Sequence, residues 1–261
     1  MNLDLTGKNA LICGSTQGIG YAIAWELAAL GATCFLLARN ETKLKEAAAS
    51  LPTPMQQTHR IWVADFAYPD EVQRVAQQGV EQQAIHILIN NTGGPAGGPI
   101  IEAQADAFIQ TFQQHLINNH QLTQAVVPGM KAAGYGRIIN VISTSVKIPL
   151  ANLGVSNTIR GAVASWAKTM ANELGAFGIT VNNVLPGATE TVRLQQIIQQ
   201  NARKKEKDPD EISADMMREI PARRFGAPGE IAAVAAFLAS PAAAYVNGVS
   251  IPVDGGRTGS L

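Results

Sequence analysis

The chain has 261 residues, of which 46% are apolar and only 5% aromatic, and its 20 basic and 20 acidic side chains cancel. A neutral chain poor in aromatics lacks both the basic field and the stacking platforms that nucleic acid requires, and nothing in it asks for an anionic membrane. No apolar run reaches the ~20 residues needed to span a bilayer. The first residues lack the basic head and apolar stretch of a secretory signal, so a cytoplasmic location is expected.

Taken in chain order, short apolar runs alternate with longer amphipathic ones. Strands are expected at residues 9–13, 33–38, 60–64, 86–90, 137–143, 179–185 and 249–253. Helices are expected from the first glycine turn to residue 30, over 41–50, after Pro69, up to about 133, over 153–175 and over 228–239. Strands joined by helices of ten or more residues must lie parallel, with right-handed crossovers. Runs such as Leu88-Ile89 and Ile138-Ile139 suit strands covered on both faces. The fold expected is α/β: one doubly wound domain, residues 1–261, with a seven-stranded parallel sheet and helices on both faces. Cys13 and Cys34 fall in strand-like runs and are expected to be reduced and buried. No metal-ligand cluster is apparent.

The first strand runs into Gly14-Ser15-Thr16-Gln17-Gly18-Ile19-Gly20. Glycines allow a tight turn and a close approach of backbone to a ligand, and the following helix start offers free N–H groups and a positive dipole end to an anion. Alone, this run fits either a phosphate site or an ordinary strand-to-helix connection. Further on stand Asn90-Asn91-Thr92-Gly93, Pro186-Gly187-Ala188-Thr189-Glu190-Thr191, Arg224-Phe225-Gly226 and Val253-Asp254-Gly255-Gly256.

In order and spacing these motifs resemble the short-chain dehydrogenase/reductase family over nearly the whole chain, from about Leu5 to Gly256. The pattern is most similar to bacterial 3-oxoacyl-acyl-carrier-protein reductase-like members. Cys13 replaces a family threonine and Thr92 a family alanine. The resemblance implies a Rossmann fold in which residues 14–20 hold a pyrophosphate and Asp65, beside Phe66, meets the adenine. A helix N-cap is the alternative reading of Asp65. It also implies that Asn91 ties strand ends together, that Gly93 passes close to a ribose, and that Pro186 and Gly187 face a nicotinamide with Thr189 and Thr191 near its carboxamide. At the end of the second strand Ala38 cannot bind ribose hydroxyls as an acidic residue would, whereas Arg39, followed by Asn40, can pair with a ribose phosphate. NADP(H) is therefore expected over NAD(H).

The family's reaction centre uses a serine, a tyrosine and a lysine, supported by an asparagine. Ser143 matches the serine. Family spacing then puts Ser156 at the tyrosine position and Arg160 at the lysine position, where its fork of donors can still clamp ribose hydroxyls, with no tyrosine anywhere between Ser143 and Pro186. His115 falls at the asparagine position; Asn118 or Asn119 would serve only after a register slip. An aliphatic hydroxyl, with a pKa near that of water, is a far weaker acid than phenol at about 10, so Ser156 should be a poor proton donor. His115, with an ordinary pKa near neutrality, could feed a proton relay. Three readings stay open: a reductase with another proton source, an NADP(H)-binding protein without turnover, and different chemistry on a cofactor scaffold.

Residues 188–220 are expected to form a substrate lid, in which Arg203-Lys204-Lys205 reads as a solvated helix face. Leu194, Ile197, Ile198, Met216 and Met217 would suit an acyl chain or would pack on the core. The expected partner is a small-molecule carbonyl or acyl substrate. By family resemblance a homotetramer or homodimer is expected, with the small Gly161, Ala162, Ala164 and Ala167 allowing close helix contact.

Overall fold

The structure, a computed structural model, describes residues 1–260. Its seven strands are β1 Asn9–Cys13, β2 Thr33–Ala38, β3 Arg60–Val63, β4 Ile87–Asn90, β5 Gly136–Val141, β6 Ile179–Pro186 and β7 Ser250–Val253. They form one parallel sheet in the order β3-β2-β1-β4-β5-β6-β7. The strand order switches direction between β1 and β4, and that switch opens a crevice at the carboxyl ends of the strands.

Side-chain alternation along the strands divides the core in two. One face buries Ile12, Leu36, Ile89 and Ile139 under α1 Gly18–Ala29, α2 Glu41–Ser50 and the last helix, Pro228–Ala239. The other buries Leu11, Leu37, Leu88, Ile138 and Val181 under α3 Pro69–Gln82 and the two long helices that follow β4 and β5. Helices cover both faces, which is why the strands read as continuous apolar runs.

A buried polar ladder crosses the second half of the sheet. Asn90 donates to Asn140 at 2.9 Å, Asn140 to Asn183 at 2.9 Å, and Asn183 to the Ser250 hydroxyl at 3.0 Å. These residues are register partners on β4, β5, β6 and β7. A one-residue slip of any strand would bury unpaired amides, so the ladder fixes the strand ends that form the crevice.

The stretch after β4 is not one plain helix. α4 Ala105–Phe112 passes through a π turn at Gln113–Ile117 into α5 Asn118–Ala133. β5 stops at Val141, two residues short of the expected end. Ser143 lies past the strand, and its hydroxyl accepts from the Ser145 amide at 3.1 Å to cap a short turn at Thr144–Val146. α6 Gly154–Leu174 then carries Ser156 in its first turn and Arg160 one turn on. On this helix Ala167 is turned into the sheet core, so of the small residues expected at an oligomer contact it is already used.

The segment expected as a lid forms α7 Val192–Lys205 and α8 Pro209–Arg218, and α9 is the Pro228–Ala239 helix. The two possible roles of its apolar residues are divided among them. Ile198 packs with Ile212, Ile220 and Phe225 between the helices, while Ile197 lines the crevice and Leu194 does both. Cys13 and Cys34 are buried and unbonded, and burial raises both thiols, Cys13 to about 12. No described helix is long and apolar enough to cross a membrane.

Candidate active site

The crevice is a cavity of about 770 Å³ running from the end of β3 to the start of α7. Its floor is the turn between β1 and α1. Gly14 and Gly18 sit at φ +59° and +56°, a left-handed conformation that glycine adopts without strain. A Cβ on Gly14 would lie 2.6 Å from the Asn91 carbonyl oxygen, so this glycine lets β4 close on the turn. Asn91 completes the junction by donating its amide to the Cys13 and Gly14 carbonyls at 3.2 and 3.3 Å.

Two members of the glycine-rich run stand elsewhere than expected. Gly20 does not line the cavity; a Cβ there would lie 2.2 Å from the Gly14 carbonyl oxygen, so it serves the packing of α1 on the turn. The Ser15 side chain is wholly buried and also does not line the cavity. Gly14, Thr16, Gln17, Gly18 and Ile19 do. Gln17, the residue before α1, makes no side-chain cap, and the first turn carries no acidic residue. The opening amides of α1 are therefore left for an anion, and the cradle fits a dinucleotide pyrophosphate.

At the β2–β3 end the walls are Ala38, Arg39, Asn40, Lys43, Asp65 and Phe66. Arg39 lies 3.7 Å from Asp65 with its side chain 78% exposed, so this pair is a weak surface contact that leaves Arg39 free to turn to another anion. The Asn40 side chain accepts from the Lys43 amide at 2.9 Å, which commits it to capping α2. Asp65 accepts from the Ala67 amide at 3.0 Å, whereas Tyr68 stands at the N-cap of α3. The helix-cap alternative for Asp65 is thus not what the chain adopts. Gly93 has open space at its Cα.

The opposite wall holds Pro186, Gly187, Thr189 and Thr191. A Cβ on Gly187 would lie 2.7 Å from the Asp254 backbone, which explains glycine where β6 passes the loop after β7. The Thr189 hydroxyl donates to the Gly187 carbonyl at 3.1 Å. The Thr191 hydroxyl donates to the Thr189 carbonyl and accepts from the Leu194 amide, so it caps α7 while bordering the cavity.

Ser143, Ser156 and Arg160 all line the same end of the cavity. Arg160 Nε donates to Ser156 Oγ at 3.2 Å, and Nη1 donates to the Ile142 and Val141 carbonyls at 2.7 and 3.3 Å. Three of its five N–H groups are thereby used inside the protein, and only Nη2 is left to reach outward, so the expected full fork on ribose hydroxyls is reduced to one nitrogen. Burial, and secondarily Arg193, lowers the guanidinium to about 10, still charged at neutral pH.

His115 differs most from expectation. It stands in the π turn, 4% exposed, behind the wall of the cavity and not on it. Its Nδ1 is 2.8 Å from the Thr92 hydroxyl, which fixes the loop after β4. Burial first, and the Arg160 charge second, push it down to about 3, with the Gly93 backbone pulling the other way. His115 is neutral near pH 7 and supplies no proton by titration. An unfolded histidine takes up its proton near pH 6.5 but the folded one only near 3, so the unfolded state binds more protons in between and acid destabilises the fold. Between pH 7.5 and 5 the native protein should lose about 2 kcal/mol more than His115→Asn, read by urea unfolding at the two pH values. Equal losses would contradict the placement of this ring.

Lys43, Gln114 and Arg193 also line the cavity, and sequence reasoning did not single them out. Lys43 stands in the first turn of α2, four residues past Arg39, a spacing that could have found it. Arg193 sits two residues past Thr191, and nothing in the sequence says that it turns inward.

A family model described as enoyl-(acyl carrier protein) reductase matches residues 14–258. The 3-oxoacyl-[acyl-carrier-protein] reductase of Vibrio cholerae is 31% identical over 257 residues, covering 97% of this chain and 98% of its own length. The chain belongs to the short-chain dehydrogenase/reductase family. Among solved members of similar fold, the L-sorbose reductase of Gluconobacter frateurii, complexed with NADPH and L-sorbose, superposes with a TM-score of 0.93 at 31% identity over 100% of both chains. A gluconate 5-dehydrogenase of Burkholderia cenocepacia, in complex with NADP and tartrate, gives 0.88 at 30% identity over 100% of this chain and 98% of its own.

Proposed function

We propose that the chain is an NADPH-dependent reductase of a carbonyl, 3-oxoacyl-like substrate, in which a serine–arginine pair replaces the family's tyrosine and lysine. The observation that carries this reading is the 3.2 Å contact in which Arg160 Nε–H donates to Ser156 Oγ at the cavity wall. The Ser156 oxygen accepts from a cation, so its own O–H is free to donate outward. Ser143, on the same wall, supplies a second hydroxyl.

Residues 14–19 and the opening amides of α1 would hold a pyrophosphate, Arg39 and Lys43 a ribose phosphate, and Pro186, Gly187 and Thr189 a nicotinamide. Bound there, NADPH would supply hydride to a carbonyl carbon. The two hydroxyls would hold the carbonyl oxygen, and Arg160 would stabilise the negative charge that develops on it. The proton on that oxygen comes from water, because neither Ser156 nor the neutral His115 is an acid near pH 7. NADPH and NADP in the sorbose reductase and gluconate dehydrogenase structures support the choice of cofactor.

A second reading, an NADP(H)-binding protein without turnover, is favoured by the missing phenol and by the three internal hydrogen bonds of Arg160. Single-turnover absorbance of the nicotinamide, with excess protein and a carbonyl panel, separates the two. Slow oxidation of NADPH with at least one carbonyl supports the reductase; none with any carbonyl supports the binder. Arg39→Ala should weaken NADPH about tenfold and leave NADH unchanged, because only NADPH carries the phosphate. Equal affinity of the variant and the native protein for NADPH would contradict the assignment.

A further inference from the structure

Two guanidinium groups converge on the end of the cavity that holds Ser143 and Ser156. Arg160 is 9% exposed and keeps only Nη2 unassigned. That nitrogen faces Gly94, where a Cβ would meet it at 3.5 Å. Arg193, from the first turn of α7, donates its own Nη2 to the carbonyl of the next residue, Pro95, at 2.8 Å. One dipeptide of the loop after β4 thus touches both arginines, and both line the cavity.

Neither has a counter-charge. Among the described residues no carboxylate lies within 4.0 Å of either guanidinium. The one carboxylate lining the cavity is Asp65, which follows β3 and pairs with Arg39. Arg160 rests on the end of β5, four strands away in the sheet order, or about 19 Å at the usual strand spacing. Two neighbouring cations repel each other, and taking one of them out of water without an anion is unfavourable. Such an arrangement is stabilised by a ligand that brings the negative charge.

We propose that Arg160 and Arg193 form a subsite for an anionic group on the substrate, so that the carbonyl compound taken by this site is an oxo acid. The proposal rests on the reading that a carbonyl meets Ser143 and Ser156, and it names what the rest of that molecule must carry. The same pair could instead attract a phosphate of the cofactor, so the test separates the two sources of negative charge.

Calorimetric titration of the full chain, with and without saturating NADPH, would use 2-oxobutanoate, acetoacetate and levulinate, each beside its methyl ester. The native protein should prefer at least one acid over its ester by about tenfold or more, the size of a charge-assisted contact. Arg193→Ala should erase that preference, Arg193→Lys should retain part of it, and NADPH affinity should change less than about threefold. Equal binding of acid and ester by the native protein overturns the proposal. So does an unchanged preference in Arg193→Ala, including the case where that variant instead loses NADPH affinity tenfold. Failure of the native protein to bind NADPH sinks the cofactor reading separately; an acid preference lost in Arg193→Ala would still uphold the anion subsite.

Discussion

Ser156→Tyr combined with Arg160→Lys should raise the single-turnover rate of carbonyl reduction by about a hundredfold or more. Ser156 lines the cavity from the first turn of α6, and replacing Arg160, whose Nε lies 3.2 Å from the Ser156 hydroxyl, by the slimmer lysine makes room for a phenol there. It would bring a proton donor of pKa about 10 in place of an alcohol, and general-acid catalysis is commonly worth about 10² to 10⁴ in rate. Lysine at 160 keeps a positive charge beside the phenol. The single change Ser156→Tyr should give part of the gain, because Arg160 remains as the cation. A double variant that folds, binds NADPH and reacts no faster would show that the deficit lies beyond the acid.

Gly18→Asp should lower NADPH affinity more than about a hundredfold while costing thermal stability only modestly. Gly18 is at φ +56°, a region that aspartate tolerates better than most residues. Its nearest neighbour for a Cβ is the Thr191 methyl at 3.3 Å, a side-chain end that can yield. An acidic residue at a helix start also suits the helix dipole. The same charge placed where a pyrophosphate must sit repels it. The two effects have opposite signs, so calorimetry and a melting curve on one variant separate binding from folding. Gly20→Ala would not, because its Cβ would collide with backbone and the fold itself would suffer.

Much of the molecule was legible in its sequence because strand burial and helix length obey simple periods. The runs at 9–13, 33–38, 41–50 and 228–239 match the elements found. What escaped reading were choices made by tertiary contact. Nothing local in Gln113–Ile117 announces a π turn, yet that turn buries His115 and takes its proton away. Thr191 and Asn40 looked like cofactor contacts and also cap helices, a double use that sequence alone does not reveal. Arg160 looked like a free fork because the carbonyls of Val141 and Ile142 become its partners only when β5 ends beside α6. Motif spacing gave positions; the direction in which each side chain turns came from packing.

The nucleotide cradle beside Ser156 and Arg160 is the claim on which the rest depends, and calorimetric titration of the native chain with NADPH and with NADH tests it most directly. Saturable one-to-one binding of NADPH, at least about tenfold tighter than NADH, is the result expected. Absence of heat with both nucleotides, from protein shown to be folded, would contradict it.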